Sequence, residues 1–203
     1  HCFGKEYKKL PNKIGEWELN KLSRDIEVFE SHNDSKLETI KFCGSTGEPL
    51  VNRFTAYGIE VFSNQGKKIR LFTNGMGLVR DDYSGKPNLE SVLKVDILNL
   101  SLDAGSDRIM KRVKGNGADY NQIMQGLCRL IDLRRGKKPE VTVSYVVSKD
   151  NYEDIVKATR DAKDAGADII RFKISLTAGE DIKRLSEIII KNLRKAEEYE
   201  ADD

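Results

Sequence analysis

The chain has 203 residues, of which 38% are hydrophobic and 33% charged, the balance of a globular protein of one or two domains. Its 35 Lys and Arg and 33 Asp and Glu leave a formal net charge of +2, which excludes the strongly basic footprint of a nucleic-acid-binding protein. No apolar run approaches the about 18 residues of a membrane span, and no signal-peptide pattern is present, so we expect a cytoplasmic protein that contacts neither nucleic acid nor membrane.

Apolar spacing and turn residues predict alternating helices and strands along the chain. Leu19, Leu22, Ile26 and Phe29 share one face and predict the first helix, over 16–30. Further helices are predicted over 54–64, 120–133, 152–166 and 180–200, and strands over 37–43, 67–75, 95–102, 140–148 and 167–175. This order is typical of parallel strands joined by crossover helices, with one helix short or unclear after the third strand and a polar loop over 79–91.

Capping residues indicate where two of these helices begin. Asp119 is a predicted N-cap of the helix over 120–133, whose Ile123 and Leu127 share a face. Asp150 and Glu153 have the spacing of a capping box before the helix over 152–166.

The chain has three cysteines, an odd and sparse set that argues against a disulfide framework and indicates a reducing compartment. Cys43 ends a predicted strand and Cys128 lies among apolar residues of a predicted helix. We therefore expect both to be small core residues. His32 lies in a polar segment, and no second His nearby suggests a metal pair, so we expect it to be solvated.

Every predicted strand ends in glycine or small polar residues. The five ends are CGSTGEP, FTNG, SLDAGS, YVVSKDN and FKISL. Ligands of parallel α/β folds bind beyond the carboxyl ends of the strands. Five such ends along one rim predict a small polar ligand held by backbone groups and short side chains.

The order of four short motifs resembles the radical S-adenosylmethionine (SAM) superfamily. HCF at 1–3 is similar to the end of its Cys-x3-Cys-x2-Cys motif, and TGEP at 46–49 to its Glu-Pro turn, with Thr46 in place of a Gly. FTNG at 72–75 and SLDAG at 101–105 are similar to its third and fourth strand ends. No single motif is decisive, but the combination is specific and covers almost the whole chain.

The resemblance implies an α/β fold: a partial (β/α)6 TIM-like barrel of parallel strands, open-sided, with the first strand missing from this chain. It implies one such domain over 1–203, as a fragment of a longer protein. Two of the three cluster cysteines are absent from the sequence. We interpret their absence as missing N-terminal sequence; the alternative is a degenerate protein that has lost its cluster.

The resemblance also implies a reaction and its cofactors. Three thiolates hold a 4Fe–4S cluster with one open iron, where SAM binds. Reductive cleavage of SAM gives a 5′-deoxyadenosyl radical that abstracts hydrogen from a peptide or small-molecule substrate. An electron donor such as flavodoxin or ferredoxin is implied as a partner, and no protein residue is assigned a catalytic role.

Site residues follow by matching positions to these motifs. Cys2 would ligate the cluster, His1 could approach the adenine, and Glu48 belongs to the turn that receives the SAM amino group. Lys114 occupies the place where many relatives have an Arg that pairs with the SAM carboxylate, although Lys lacks the bidentate fork. The implied cofactor-binding residues are His1, Gly47, Glu48, Pro49, Asn74, Ser101, Asp103, Lys114 and Ser144. Candidates for the ribose side or for substrate are Ser144, Ser148, Arg171 and Lys173.

Other interpretations of these residues stay open. Asp103 could instead cap a helix that starts near Ser106. A TIM-barrel lyase or aldolase could use Lys173 as its catalytic lysine, although the late phosphate-binding glycine turn of such enzymes is not evident. A cluster-less SAM-binding or scaffold protein would keep the barrel without the chemistry.

Overall fold

A computed structural model describes residues 16–32, 36–44, 47–52, 54–81, 85, 88–135, 138–175 and 179–201. The strands are β1 (Thr39–Phe42), β2 (Lys68–Thr73), β3 (Ile97–Ser101), β4 (Glu140–Val147) and β5 (Ile169–Ile174). The helices are α1 (Glu16–His32), α2 (Thr55–Asn64), α3 (Asn88–Val92), α4 (Asp107–Lys114), α5 (Tyr120–Arg134), α6 (Ile155–Asp164) and α7 (Gly179–Ala201). No helix in these ranges is long and apolar enough to cross a membrane.

The five strands form one sheet in chain order, and every neighbouring pair is parallel. Parallel neighbours need crossover connections, which the helices between the strands provide. The predicted α/β class with parallel strands is therefore confirmed.

The strand register separates two faces of the sheet. Leu71, Leu98 and Val141 are aligned on neighbouring strands, and all three are fully buried. They form the core together with Ile59 of α2 and Leu127 of α5. Successive side chains of a strand alternate between faces, so the intervening residues point away from this core. We term that side the inner face; its strand positions are Thr39, Lys41, Lys68, Arg70, Phe72, Ile97, Asn99, Ser101, Glu140, Thr142, Ser144, Val146, Ile169, Arg171 and Lys173.

Two short helices bear on the sequence predictions. The eight-residue α4 begins beside Ser106, where the alternative role of Asp103 places a helix start, and the short or unclear helix of the predicted order lies earlier, between β2 and β3. The five-residue α3 begins inside 79–91, where the sequence predicts a polar loop, so that prediction is wrong for 88–91. The helix forms there because Leu89 and Val92, one turn apart, are both buried in the core.

Helix capping agrees with the sequence at one of the two predicted positions. Asp119 caps α5, because its Oδ1 accepts the backbone N–H of Gln122 at 2.9 Å. The predicted capping box of Asp150 and Glu153 is wrong: a 3₁₀ turn over Tyr152–Asp154 precedes α6, and neither the turn nor the helix has a side-chain cap.

Several residues predicted to be buried are exposed. On α1, Leu19 and Ile26 are buried, whereas Leu22 and Phe29 are 46% and 51% exposed. The buried pair is seven residues apart, so the stripe that meets the core is narrower than the predicted face. Cys43 and Cys128 are also exposed, and their assignment to the core is wrong. Cys43 lies just after the end of β1, and Cys128 is turned about 100° from the buried Leu127 on α5.

Candidate functional site

Because the sheet is parallel, the carboxyl ends of its strands meet at one edge. The segments that follow β1 to β4 there are 47–52, 74–81, 102–106 and 148–151, which we term the rim. Hydrogen bonds link the rim in two halves, one after β1 and β2 and the other after β3 and β4. Most of the predicted cofactor residues lie in these segments or at the strand ends beside them.

Glu48 links the two segments of the first half of the rim. Its Oε2 accepts the backbone N–H of Asn74 at 2.7 Å, and its Oε1 accepts the Thr73 hydroxyl and, at 3.3 Å, the backbone N–H of Leu50. The last bond caps the 3₁₀ turn over Pro49–Val51. The half-buried carboxylate therefore fixes the Glu-Pro turn against the end of β2.

Glycines let this half of the rim pack closely. A Cβ at Gly44 would overlap the carbonyl oxygen of Gly47, so the turn requires glycine there. Gly75 has a φ of +84°, and a Cβ on it would lie 2.6 Å from Leu100 Cδ1. By contrast, a Cβ at Gly47 would meet no atom of the described residues within 4 Å, so among these residues nothing covers the exposed side of the turn at Gly47.

Asp103 organises the second half. Its Oδ1 accepts the backbone N–H of Val146 at 2.7 Å, and its Oδ2 lies 3.2 Å from Lys114 Nζ. The Lys114 ammonium also donates to the carbonyl oxygen of Ser101. The side chains of Asp103 and Lys114 are 15% and 19% exposed respectively, so this ion pair is largely shielded from water. Asp103 itself has a φ of +57°, an uncommon conformation for a residue with a side chain.

The alternative role of Asp103 as a helix cap is wrong. Ser106 is the N-cap of α4, and its Oγ accepts the backbone N–H of Ile109 at 3.4 Å. Asp154 fixes this helix start, because its Oδ2 accepts the Ser106 hydroxyl at 2.6 Å and the Gly105 backbone N–H at 3.1 Å.

Asn151 is a rim residue that the sequence reasoning missed. It is fully buried, and its Nδ2 donates to the carbonyl oxygens of Asp103 and Val146, both at 2.9 Å. Its Oδ1 accepts the backbone N–H of Ser148 at 2.7 Å. The buried hydroxyl of Tyr145 donates to the Asn151 carbonyl at 2.6 Å, and burial raises the pKa of that hydroxyl. In the sequence SKDN the residue resembles an ordinary turn Asn, because its partners on other segments leave no local signal.

The predicted site residues group as follows. Gly47, Glu48, Pro49 and Asn74 lie in the first half of the rim, and Ser101, Asp103, Lys114 and Ser144 lie at or beside the second. Ser101 and Ser144 are aligned on β3 and β4, and Arg171 on β5 is aligned with Ser144. His1 and Cys2 lie outside the described residues.

The described residues do not provide the three thiolates that a 4Fe–4S cluster needs. Cys43 and Cys128 are both free, and within the described ranges no group of three or more His, Cys, Asp or Glu side chains could hold a metal ion.

The fold of this chain is similar to the folds of several solved structures. SuiB of Streptococcus suis bound to S-adenosylmethionine matches with a TM-score of 0.59 and 16% identity, over 87% of this chain and 39% of SuiB. SuiB bound to the precursor peptide SuiA matches with a TM-score of 0.61 and 16% identity, over 88% of this chain and 40% of SuiB. An archaeal TYW1 matches with a TM-score of 0.52 and 16% identity, over 91% of this chain and 67% of TYW1.

The chain thus spans well under half of SuiB and about two thirds of TYW1. No protein-family model matches the sequence, and no curated protein matches it. The matched structures are radical SAM enzymes with partial TIM-barrel folds, so the resemblance predicted from the motifs is confirmed at the level of the fold.

Proposed function

We propose that this chain forms the SAM-binding partial barrel of a radical SAM enzyme that acts on a peptide or a small molecule. One observation carries the proposal: the GEP, TNG and SLDA motifs occupy adjacent strand ends of one parallel sheet. Glu48 bonds directly to Asn74, and Ser101 is aligned with Ser144. SuiB, which has a similar fold, has been solved bound to SAM and to its precursor peptide.

In this proposal the rim holds the methionyl and ribose ends of SAM. The carbonyl groups of Gly47 and Glu48 would accept the SAM ammonium, since a carbonyl oxygen has two lone pairs and that of Glu48 accepts one N–H, from Val51. The Pro49 carbonyl is already used, because its oxygen accepts both the Asn52 N–H and the Thr55 hydroxyl. Glu48 would act through the turn rather than on SAM, because its carboxylate already accepts three protein donors. Lys114 would contribute positive charge for the SAM carboxylate from beside Asp103.

The cluster requires cysteines beyond those of the described structure. When bound, the cluster and SAM supply the reductive cleavage and the radical, while the barrel orients SAM and excludes water. Cys2 would be one ligand, and the other two would have to come from sequence outside the 203 residues. Determining the natural sequence before His1 is the cheapest test, because two cysteines at the expected spacing are required.

The biochemical test uses the full-length protein, reconstituted with iron and sulfide under anaerobic conditions. We expect about four irons per site and 5′-deoxyadenosine on reduction in the presence of SAM. Cys2→Ala should abolish both, whereas Cys128→Ala, which changes an exposed cysteine on α5, should leave both intact.

The outcomes separate the alternatives. Full-length protein that binds SAM, but binds no iron and shows no reductant-dependent turnover, would support the cluster-less scaffold. Protein that does not bind SAM at all would overturn the assignment of the rim.

A further inference from the structure

The inner face of the sheet carries a strong excess of positive charge. Its charged strand positions are Lys41, Lys68, Arg70, Arg171 and Lys173, against the single carboxylate of Glu140. None of the five cations forms a salt bridge within the described part of the chain. Since the whole chain has a formal charge of only +2, this face is far more basic than the protein as a whole.

Two polar groups on this face are buried without a hydrogen-bond partner in the described structure. One is Nδ2 of Asn99, whose residue is only 3% exposed, and the other is Nε of Arg70. A buried donor without a partner costs about 1–3 kcal/mol, so such groups are rare in native proteins unless a ligand or water completes them. Both groups are donors, and therefore both require an acceptor.

The register places these donors within one region. Asn99 is aligned with Phe72 on β2 and Thr142 on β4, two residues beyond the level of Arg70. Arg171 lies two strands away from Asn99, on β5, about 10 Å across the sheet and two residues nearer the rim. Long arginine side chains can converge from both sides on an acceptor above Asn99.

Other charges near the face neutralise it only in part. Asp96 interacts with Lys68 at the amino end, although its carboxylate is already paired with Lys138. Glu140 is exposed and lies at the amino end of β4, at the level of Arg70 and Ile97. Asp103, at the carboxyl end, is already paired with Lys114 and the backbone N–H of Val146. Lys41 lies over the Phe72 ring, 4.6 Å from its centroid, a cation–π contact that supplies no counter-charge.

We propose that the inner face binds a carboxylate group of the substrate, with Asn99 Nδ2 donating to it and Arg70 and Arg171 pairing with it. Lys173, aligned with Val146 nearest the rim, would extend the basic surface toward the SAM site. The substrate of this enzyme is then an acidic peptide or another carboxylate-bearing molecule. That the bound molecule is a substrate rests on the proposed function, whereas the carboxylate site itself rests on the inner face alone.

The test measures binding by calorimetry to the full-length protein. The probe is an N-acetylated tetraglutamate amide, and the tetraglutamine peptide of the same length is the neutral control. We expect the glutamate peptide to bind at least about tenfold more tightly, and Asn99→Leu and Arg171→Gln each to raise its Kd about tenfold. Lys191→Gln removes the same charge from the exposed surface of α7 and should leave the Kd unchanged.

Arg171 is exposed, so its variant tests the site even if Asn99→Leu fails to fold. Equal affinity for the two peptides, or an equal effect of Arg171→Gln and Lys191→Gln, would overturn the proposal. SAM also has a carboxylate, so the titration is repeated with saturating SAM. Displacement of the peptide by SAM would assign these groups to the cofactor and overturn the substrate site.

Formation of 5′-deoxyadenosine is measured in the same preparation. If it forms while the protein shows no preference for the glutamate peptide, the proposed function stands and this inference fails. If none forms while binding still depends on Arg171, the proposed function fails and the carboxylate site stands.

Discussion

Carboxylates join neighbouring strands at both ends of the sheet, but the groups around these carboxylates differ between the two ends. At the amino end, Asp96 accepts the backbone N–H of Ile69 at 2.7 Å and pairs with Lys138 at 2.8 Å. Asp168 similarly accepts the backbone N–H of Val141 at 2.7 Å and pairs with Arg134. Each is thus held by one backbone donor and one cation; Lys138 is exposed, whereas the Arg134 side chain is only 9% exposed.

At the carboxyl end, the carboxylates are set among buried polar groups. Glu48 is bound by backbone and hydroxyl donors, and Asp103 lies beside the fully buried Asn151. A bond from a carboxylate to the next strand therefore does not by itself indicate function, since both ends have it. The difference lies in the surroundings, because only the carboxyl end combines buried amides, required glycines and the edge of the basic inner face.

The largest expected effect is at Asn151. Asn151→Leu removes a fully buried amide and leaves the carbonyl groups of Asp103 and Val146 without their donor, so we expect the free energy of unfolding to fall by about 3 kcal/mol. Urea unfolding monitored by circular dichroism measures the change. Asn192→Leu is the control: Asn192 is half-buried and donates one bond, to the Tyr152 carbonyl, so about 1 kcal/mol is expected. Equal losses would mean that the buried network adds nothing to the stability of the rim.

A smaller effect is expected at the amino end. Asp168→Asn keeps an acceptor for Val141 but removes the charge that pairs with Arg134. Because the Asp168 side chain is 39% exposed, we expect a loss of only about 1 kcal/mol in the free energy of unfolding. SAM affinity should not change, since this end is remote from the rim. A weakened SAM affinity in this variant would contradict the assignment of SAM binding to the carboxyl end of the sheet alone.

The pH dependence of stability should also depend on the amino end. Partial burial opposes the shift, but the hydrogen bonds from Lys138 and the Ile69 backbone lower the pKa of Asp96, and those from Arg134 and the Val141 backbone lower the pKa of Asp168. A lowered folded-state pKa contributes stability that is present above the unfolded value of about 3.9 and is lost as the pH falls through the folded value.

We therefore expect wild-type stability to decline from about pH 5 downward, and Asp96→Asn/Asp168→Asn to decline less steeply. Urea midpoints between pH 6 and pH 2.5 measure the slopes. Glu180→Gln/Glu187→Gln, with the same charge change on exposed positions of α7, should keep the wild-type slope. Identical slopes for all three proteins would show that these two aspartates do not control acid stability.

The sequence predicts the elements well because their signals are local. Turn residues and apolar alternation locate all five strands, and Asp119 marks the start of α5. The wrong predictions concern features that depend on tertiary packing rather than on local sequence. Cys128 lies in an apolar stretch but on the outer side of its helix, and α3 exists only because Leu89 and Val92 reach the core.

The candidate site divides in the same way. Short motifs identify Glu48 and Asp103, because a carboxylate in a glycine turn is visible in sequence. Asn99 and Asn151 have no such signal, because their roles depend on strand register and on contacts with distant segments. The basic character of the inner face is equally hidden, since Arg70 and Arg171 are separated by about a hundred residues in a chain with almost balanced charge.

The smallest expected effect on stability compares one lysine from each end. Lys114→Met and Lys138→Met each remove an ammonium that pairs with an aspartate, Asp103 and Asp96 respectively. The partner aspartate keeps its backbone donor in both variants. The Lys138 pair is more exposed, so Lys138→Met should lose about 0.5 kcal/mol in the free energy of unfolding, whereas Lys114→Met, whose pair is largely shielded from water, should lose about 1 kcal/mol. If Lys114 also attracts the SAM carboxylate, calorimetry should give a Kd for SAM about fivefold higher in Lys114→Met and unchanged in Lys138→Met. An unchanged Kd in both would confine Lys114 to pairing with Asp103 and Ser101, and the two ends of the sheet would then differ in their buried amides but not in their lysines.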